Sequence, residues 1–313
     1  MRNRIAAIVP CYNRREKTLR FLDIFLTQTY PNLDLILVDS DSHDGTALAV
    51  KTRAPGAIVL KATREDYWTA ATNVGVNYAL QHDYDYILTI NDDCLIAPDY
   101  VETLVNLAEK YDLPILGSRI EHLDQPGLLC GLGISPNWVT SLFSHRYKDQ
   151  LFDRLPAHIR DAEILKADTL PGNGTLIHRS VFEAVGIYDQ RHLPHYLSDV
   201  ELIMRAKRAG FRVAVTPKAT IRDDFPTPTQ RASEDLKRGI FWDEFRYVFF
   251  HKRSGGKLSS RFYIILNYCP WSLMPVAFGM CGMAIVNWTV NFLRKQSRKP
   301  EANISGSRIQ SLD

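Results

Sequence analysis

Tyr84-Asp85-Tyr86-Ile87-Leu88-Thr89-Ile90-Asn91-Asp92-Asp93-Cys94-Leu95-Ile96 is the stretch on which the reading of this chain turns. Its first half joins β-branched and aromatic residues between polar ones, the pattern of a buried strand. The strand runs directly into two adjacent carboxylates. In an open α/β sheet, ligands bind just outside the carboxyl ends of the strands. An isolated Asp-Asp is most often a polar turn. At a strand's carboxyl end, two acids repel each other unless a cation lies between them and something more negative. The pair is therefore read as a site for Mg²⁺ or Mn²⁺ holding a diphosphate. Neighbouring side chains on an extended backbone point apart. One acid is thus expected on the metal, Asp93, with Asp92 holding ribose, a water or a basic residue.

Upstream, the chain supplies the rest of a parallel sheet. Ile5 to Val9 is an apolar run that stops at Pro10, which cannot donate to a ladder. A helix follows from about Glu16 to Gln28. Leu33 to Val38 is a second strand, emptying into Asp39-Ser40-Asp41-Ser42-His43-Asp44-Gly45-Thr46. Ala57 to Leu60 is a third, and a helix from Thr69 to Leu80 leads back to the opening stretch. Strands and helices alternating at this spacing imply right-handed crossovers. No Gly-x-Gly-x-x-Gly follows the first strand and no P-loop motif occurs, which argues against dinucleotide and P-loop chemistry. Asp39 is placed to accept hydrogen bonds from a base or ribose, whereas Ser42 and Asp44 read as turn and cap residues. Tyr12 is a candidate to stack on the base, and Arg64 to contact phosphate or base.

Downstream, a helix after Pro98 runs to about Lys110 and Leu113 to Ser118 is a strand; 121–161 suggests only turns and short strands. Leu170-Pro171-Gly172-Asn173-Gly174-Thr175 precedes a helix over Ser180 to Val185. His195-Tyr196-Leu197-Ser198-Asp199-Val200-Glu201-Leu202 then opens another, ending at Gly210. Ser198 and Glu201 have the spacing of a capping box, and Glu201 lies four before Arg205, a surface pair. That leaves Asp199 at the first helical position without a structural task. An ionised carboxylate there, facing a cleft, can serve as general base. His195 reads as a partly buried structural histidine.

The 313 residues, 45% hydrophobic and 23% charged, suffice for one α/β domain with an appendage. A net charge of +3 gives no sign of nucleic acid binding. Five dispersed cysteines suit a reducing compartment, and the N-terminus lacks a signal peptide's apolar region, so a cytoplasmic location is expected. Past Pro228 the character changes: Phe241 to Phe250 is aromatic, His251-Lys252-Arg253 is basic, and Phe262 to Leu293 carries no charge. We expect a helical pair, broken at Pro270 and Pro275, on the inner face of the cell membrane with Trp271 and Trp288 at headgroup level. The expected boundaries are 1–228, 229–300 and a disordered tail over 301–313.

The motifs Ile8-Val9-Pro10-Cys11-Tyr12-Asn13-Arg14, Val38 to Thr46, Ala71-Thr72-Asn73-Val74-Gly75, Asn91-Asp92-Asp93, Gly172 to Thr175 and Ser198-Asp199-Val200-Glu201-Leu202 together resemble family 2 glycosyltransferases over roughly Arg4 to Val215. The resemblance implies a GT-A fold with a mainly parallel sheet, a UDP- or dTDP-linked sugar donor, and inversion at the anomeric carbon. It places Tyr12 and Asp39 around the nucleoside, Asp92-Asp93 as the metal-binding acid pair, and Asp199 as base; Arg64, Asn73 and Asp92 are read as further donor contacts and Asp93 as the direct metal ligand. Tyr67-Trp68-Thr69-Ala70 and Leu193-Pro194-His195-Tyr196 look most like rhamnosyltransferase members, which would fit a glycan or lipid-linked acceptor in surface polysaccharide synthesis. Two departures stand out. Ser198 replaces the acid that usually precedes the base, and Ala219 to Asp224 lacks a histidine that relatives offer the metal. The Gln-x-x-Arg-Trp signature of processive synthases is absent, which implies single-sugar addition. Competing readings are a non-catalytic nucleotide-sugar-binding scaffold at a membrane and a nucleotidyltransferase; Asp199 argues against the first and Pro10-Cys11-Tyr12-Asn13 is a poor loop for the second.

Overall fold

A computed structural model describes residues 2–223 and 240–297. The 228/229 boundary and the 301–313 tail therefore lie outside the described residues. The first half is a run of parallel crossovers: β1 (Ile5–Cys11), α1 (Arg15–Phe25), β2 (Leu33–Asp39), α2 (Thr46–Arg53), β3 (Ile58–Lys61), α3 (Trp68–Leu80) and β4 (Tyr86–Thr89). β1 lies between β2 and β4, both parallel to it. All seven β1 residues except Pro10 are buried, because helices cover both faces. Pro10 does not end this strand. Pairing with β4 stops at Ile8, but pairing with β2 continues through Pro10 to Cys11↔Asp39. A proline's missing N–H matters only on the side where a donor is needed.

Beyond β4 come β5 (Cys94–Ile96), α4 (Tyr100–Lys110) and β6 (Ile115–His122). The 121–161 stretch, where the sequence suggests only turns and short strands, resolves into β7 (Leu129–Gly131), the separate hairpin β8 (Ile134–Asn137) and β9 (Leu142–His145), and a one-turn helix α5 (Ala157–Arg160). After β10 (Leu165–Lys166), β11 (Thr175–His178) inserts antiparallel between β4 and β6. Helices α6 (Arg179–Val185) and α7 (Ser198–Arg208) then lead to β12 (Val213–Asp223), parallel to β6 and antiparallel to β5 and β10. The main path runs β10-β12-β6-β11-β4-β1-β2-β3. The sheet is therefore mixed: a parallel half joined to a second half through an antiparallel strand.

Two hydrophobic clusters fill the sheet's two faces, and a third joins Trp138, Leu142 and Leu193 to the C-terminal helices. Those helices are an aromatic helix (Phe241–Phe250), a docking helix (Leu258–Tyr268) and a long helix (Met274–Ser297). Pro270 lies between the last two, but Pro275 does not break anything. It sits in the first turn of the long helix, where no intrahelical donor is lost. The docking helix is fixed to α7 and to the loop before it by a polar seam. The Tyr268 hydroxyl donates to Glu201, Arg208 donates 2.7 Å to the Asn267 carbonyl, and the Ser260 hydroxyl donates 2.7 Å to the His192 carbonyl.

Candidate active site

The carboxyl edge of the parallel strands gathers the acids. Asp39 ends β2 opposite Cys11 of β1, and β4 ends at Thr89, opposite the first residue of β11. Asp39 is nearly buried, and one of its oxygens accepts the Cys11 thiol at 3.6 Å. Burial pushes the Cys11 thiol up, and the charges of Asp39 and Asp92 add to that. Ser42 and Asp44 do serve locally. Ser42 accepts the Asn13 N–H at 2.9 Å, while Asp44 accepts the Arg15 N–H at 2.9 Å and the Thr46 N–H at 3.0 Å, capping α1 and α2.

The acid pair differs from its expected geometry. Asn91-Asp92-Asp93 leaves the strand as a turn, so the two carboxylates converge instead of pointing apart. Both meet the guanidinium of Arg14, which donates 2.9 Å to Asp92 and also to Asp93. Thr18 donates 2.7 Å to the second oxygen of Asp92. Asp92 is 1% exposed, and desolvation lifts its carboxyl to about 6 although Arg14 opposes the shift. Asp92 therefore has its basic partner, as one expected alternative had it, and Asp93 shares that partner. From sequence, Arg14 is only the last residue of a motif. What marks it is position: a cation just past a parallel strand's carboxyl end, next to the strand that ends in acids.

One oxygen of Asp93, Oδ1, is buried without a hydrogen-bond partner among the described residues. An orphaned carboxylate oxygen of this kind fits a cation. No cluster of three His, Cys, Asp or Glu side chains completes a cage among the described residues. The donor set thus suits Mg²⁺ or Mn²⁺ held by Asp93 and completed by phosphate and water, the usual arrangement for a cation that arrives with a nucleotide.

Asp199 sits at the second residue of α7, where Oδ2 accepts the Gly172 N–H at 2.7 Å and Oδ1 the Val200 N–H at 2.9 Å. Burial pushes its carboxyl above the usual range, against the pull of these bonds. The expected capping box does not form. Leu197 precedes the helix in the left-handed region at φ 72°, Ser198 is turned onto the Thr69 hydroxyl at 2.7 Å, and the buried Glu201 is taken by Arg205 and Tyr268. The Glu201–Arg205 pair is accordingly an internal one. Asp199 also has a structural task after all, because it holds the loop before β11.

Trp68, unassigned from sequence, links the two ends of the site. Its indole N–H donates 3.2 Å to Asn91, and its ring lies so close to Gly172 that a Cβ there would sit 2.4 Å away. Asn173 extends the connection, accepting the Asn91 N–H at 3.0 Å and donating 2.9 Å to Asp223. His195 accepts the Trp68 N–H at 3.4 Å, in keeping with a structural role. Asn73 does not join this group. It is 2% exposed, and its amide bonds the Tyr188 carbonyl, the Tyr188 N–H and the Gln190 side chain, so no donor capacity is left for a nucleotide. Tyr12 is half-buried with Arg64 5.8 Å from its ring centre.

The family profile described as "Glycosyltransferase like family 2" matches residues 3–241. The chain belongs to that family. Among curated relatives, the undecaprenyl-phosphate mannosyltransferase of Micrococcus luteus is 27% identical over 68% of this chain and 82% of its own length. The N-acetylglucosaminyl-diphospho-decaprenol L-rhamnosyltransferase of Mycobacterium tuberculosis is 25% identical over 64% of this chain and 70% of its own. An uncharacterized Sinorhizobium fredii protein is matched over only 26% of its length. A crystal structure of GalNAc-T7 with UDP, GalNAc and Mn²⁺ superposes with TM-score 0.58 at 15% identity, over 71% of this chain and 44% of that one. The mannosyltransferase PcManGT from Pyrobaculum calidifontis, in complex with GDP-Man and Mn²⁺, gives 0.52 at 18% identity over 96% and 82%. These likenesses establish the fold as GT-A-like.

Proposed function

We propose that this chain is an inverting, non-processive glycosyltransferase that moves a sugar from a UDP- or dTDP-linked donor to a hydroxyl of a glycan or lipid-linked acceptor. The observation that carries the reading is the placement of Asp199. A single carboxylate, desolvated yet held by two backbone N–H groups, is tied through Gly172, Asn173 and Trp68 to the turn that bears Asp92 and Asp93. Asp199 takes the proton from the acceptor hydroxyl as that oxygen attacks the anomeric carbon. Tyr12 and Asp39 receive the nucleoside. Arg14 fixes the acid pair, and Asp93 keeps one oxygen toward the cation. A bound Mg²⁺ or Mn²⁺ would neutralise charge on the leaving diphosphate. The remaining work of the chain is positioning.

The relatives that act on undecaprenyl-phosphate and decaprenol-linked substrates support a membrane-bound acceptor. So does the long helix: the most apolar window within Trp271–Gln296 has mean hydropathy 1.6, and only 11% of that window is buried. We therefore assign the protein to the cytoplasmic face of the membrane, in surface polysaccharide assembly.

Asp199→Asn tests the reading. Transfer should fall by at least about two orders of magnitude while nucleotide binding persists; unchanged turnover refutes it. A second reading rests on Arg14, which already gives both acids a positive charge. Under it transfer runs without a divalent ion, and turnover insensitive to EDTA would select it.

A further inference from the structure

The chain that leaves the aromatic helix does not run into solvent. It folds back over the loop between β3 and α3, on the rim of the proposed donor pocket. Its backbone is held by its own bonds: Ser254 donates to the Val248 carbonyl, Gly256 N–H donates 3.0 Å to the Ser254 hydroxyl, and Arg253 N–H donates 3.2 Å to His251. His251 stacks on Tyr247 at 4.7 Å and meets Tyr67 edge-on at 6.3 Å. This seating puts the Arg253 guanidinium 5.5 Å from the Tyr67 ring centre and 5.9 Å from that of Tyr12. Lys252 lies 6.0 Å from Tyr67, and Arg64 comes to Tyr12 from the opposite loop at 5.8 Å.

Three cations thus converge on two tyrosines, one of which is the candidate nucleoside contact. Neither Arg64 nor Lys252 has a carboxylate within ion-pair distance among the described residues. Like charges brought together on an ordered segment raise the local potential and favour an anion. Burial lowers the pKa of the neighbouring Lys257, and the charge of Lys252 lowers it further. Arginine's planar fork, with its five donors, suits phosphate oxygens.

We infer that Arg64, Lys252 and Arg253 form a diphosphate-binding rim, so that the C-terminal segment completes the site. The inference rests on the transferase reading for the source of the ligand, which is either the donor nucleotide or a diphosphate-linked lipid acceptor. Binding, not turnover, tests it. Affinity is measured for inorganic pyrophosphate, for UDP with Mn²⁺, and for phosphatidylcholine vesicles carrying farnesyl diphosphate or farnesol. In the full chain, Lys252→Ala/Arg253→Ala should weaken pyrophosphate binding about tenfold or more, the loss of one charge-assisted hydrogen bond. Arg64→Ala, on a separate loop, should weaken it as well, and Arg253→Lys should fall between. A matching loss for UDP identifies the donor as the source. A lost preference for farnesyl diphosphate vesicles over farnesol vesicles identifies the acceptor. Equal affinities in wild type and variants, or no wild-type affinity for any of the three probes, overturns the rim. Those readouts stand even if Asp199→Asn shows the transfer reading to be wrong.

Discussion

Asp199 combines a structural demand with the proposed chemical one in a single carboxylate. Its native pKa is raised, so the folded protein resists its ionisation. Stability from this group is fully present below its unfolded value, about 3.9, and is lost as pH rises through the folded value. Asp199→Asn keeps an acceptor for Gly172 and removes that loss. The melting temperature of the variant minus that of wild type should therefore grow between about pH 4 and pH 7, read by calorimetry across that range. The turnover of wild type should show an acid limb with its midpoint above the ordinary aspartate value, and the limb should disappear with Asn. Arg14 poses the complementary case. Arg14→Ala leaves Asp92 and Asp93 facing each other, at a cost of about 1–3 kcal/mol, discounted because a third of the guanidinium side chain is exposed. Millimolar Mn²⁺ should recover part of that loss in thermal melts and EDTA should remove the recovery. A variant whose melting temperature ignores the metal would show that the orphaned oxygen of Asp93 does not meet a cation.

Between elements, the decisive contacts are close approaches that periodicity does not encode. Gly172 admits Trp68 only because it lacks a side chain, and a Cβ there would also lie 3.1 Å from the Cβ of Asp199. Gly172→Ala should displace the indole or the base and cost about 1–3 kcal/mol of overpacking. Transfer should drop more than stability does, and a loss of both in proportion would make the contact merely structural. Gly174 is tighter still, at φ 76° with a methyl of Ile221 only 2.3 Å from where a Cβ would stand. The strands and helices of the first half are legible in the sequence because each carries its own apolar period, from Ile5 in β1 to Leu80 in α3. The capping box misleads because Ser198 and Glu201 have the right spacing but find stronger partners in Thr69, Arg205 and Tyr268, which spacing at a helix start does not reveal. Asn73 misleads for a related reason, its partners being 115 or more residues away. The positions of Asp39 and Asp199 are legible because one ends a strand and the other begins a helix, and Asp93 because it follows a strand by a short turn.

At the scale of the molecule, the long helix has two apolar faces. Ala277, Cys281 and Phe292 turn inward, Phe292 and Trp288 meeting the rings of the aromatic helix. Val276, Met283, Val286, Val290 and Leu293 form an outward stripe at helical spacing, with Met283 64% and Val286 60% exposed. Trp271 at the helix's start is 85% exposed, and Arg294 and Lys295 close its far end. Composition announces this region, but only packing separates the face that is used from the face that is left over. Met283→Glu/Val286→Glu should cut sedimentation with anionic vesicles severalfold while leaving turnover on a water-soluble acceptor unchanged. Undiminished sedimentation would remove the stripe from the membrane contact.

The seam between the docking helix and α7 has a geometric corollary. Tyr268 grips Glu201, and Arg205 of the same helix reaches the carbonyls of Val185 and Ile187, so the proposed base Asp199 and the C-terminal helices ride on one frame. Once lodged on lipid, such a frame works as a depth gauge. Under the proposed function it would fix the altitude at which a hydroxyl can be reached, and so select carriers by how far their sugars stand above the headgroups.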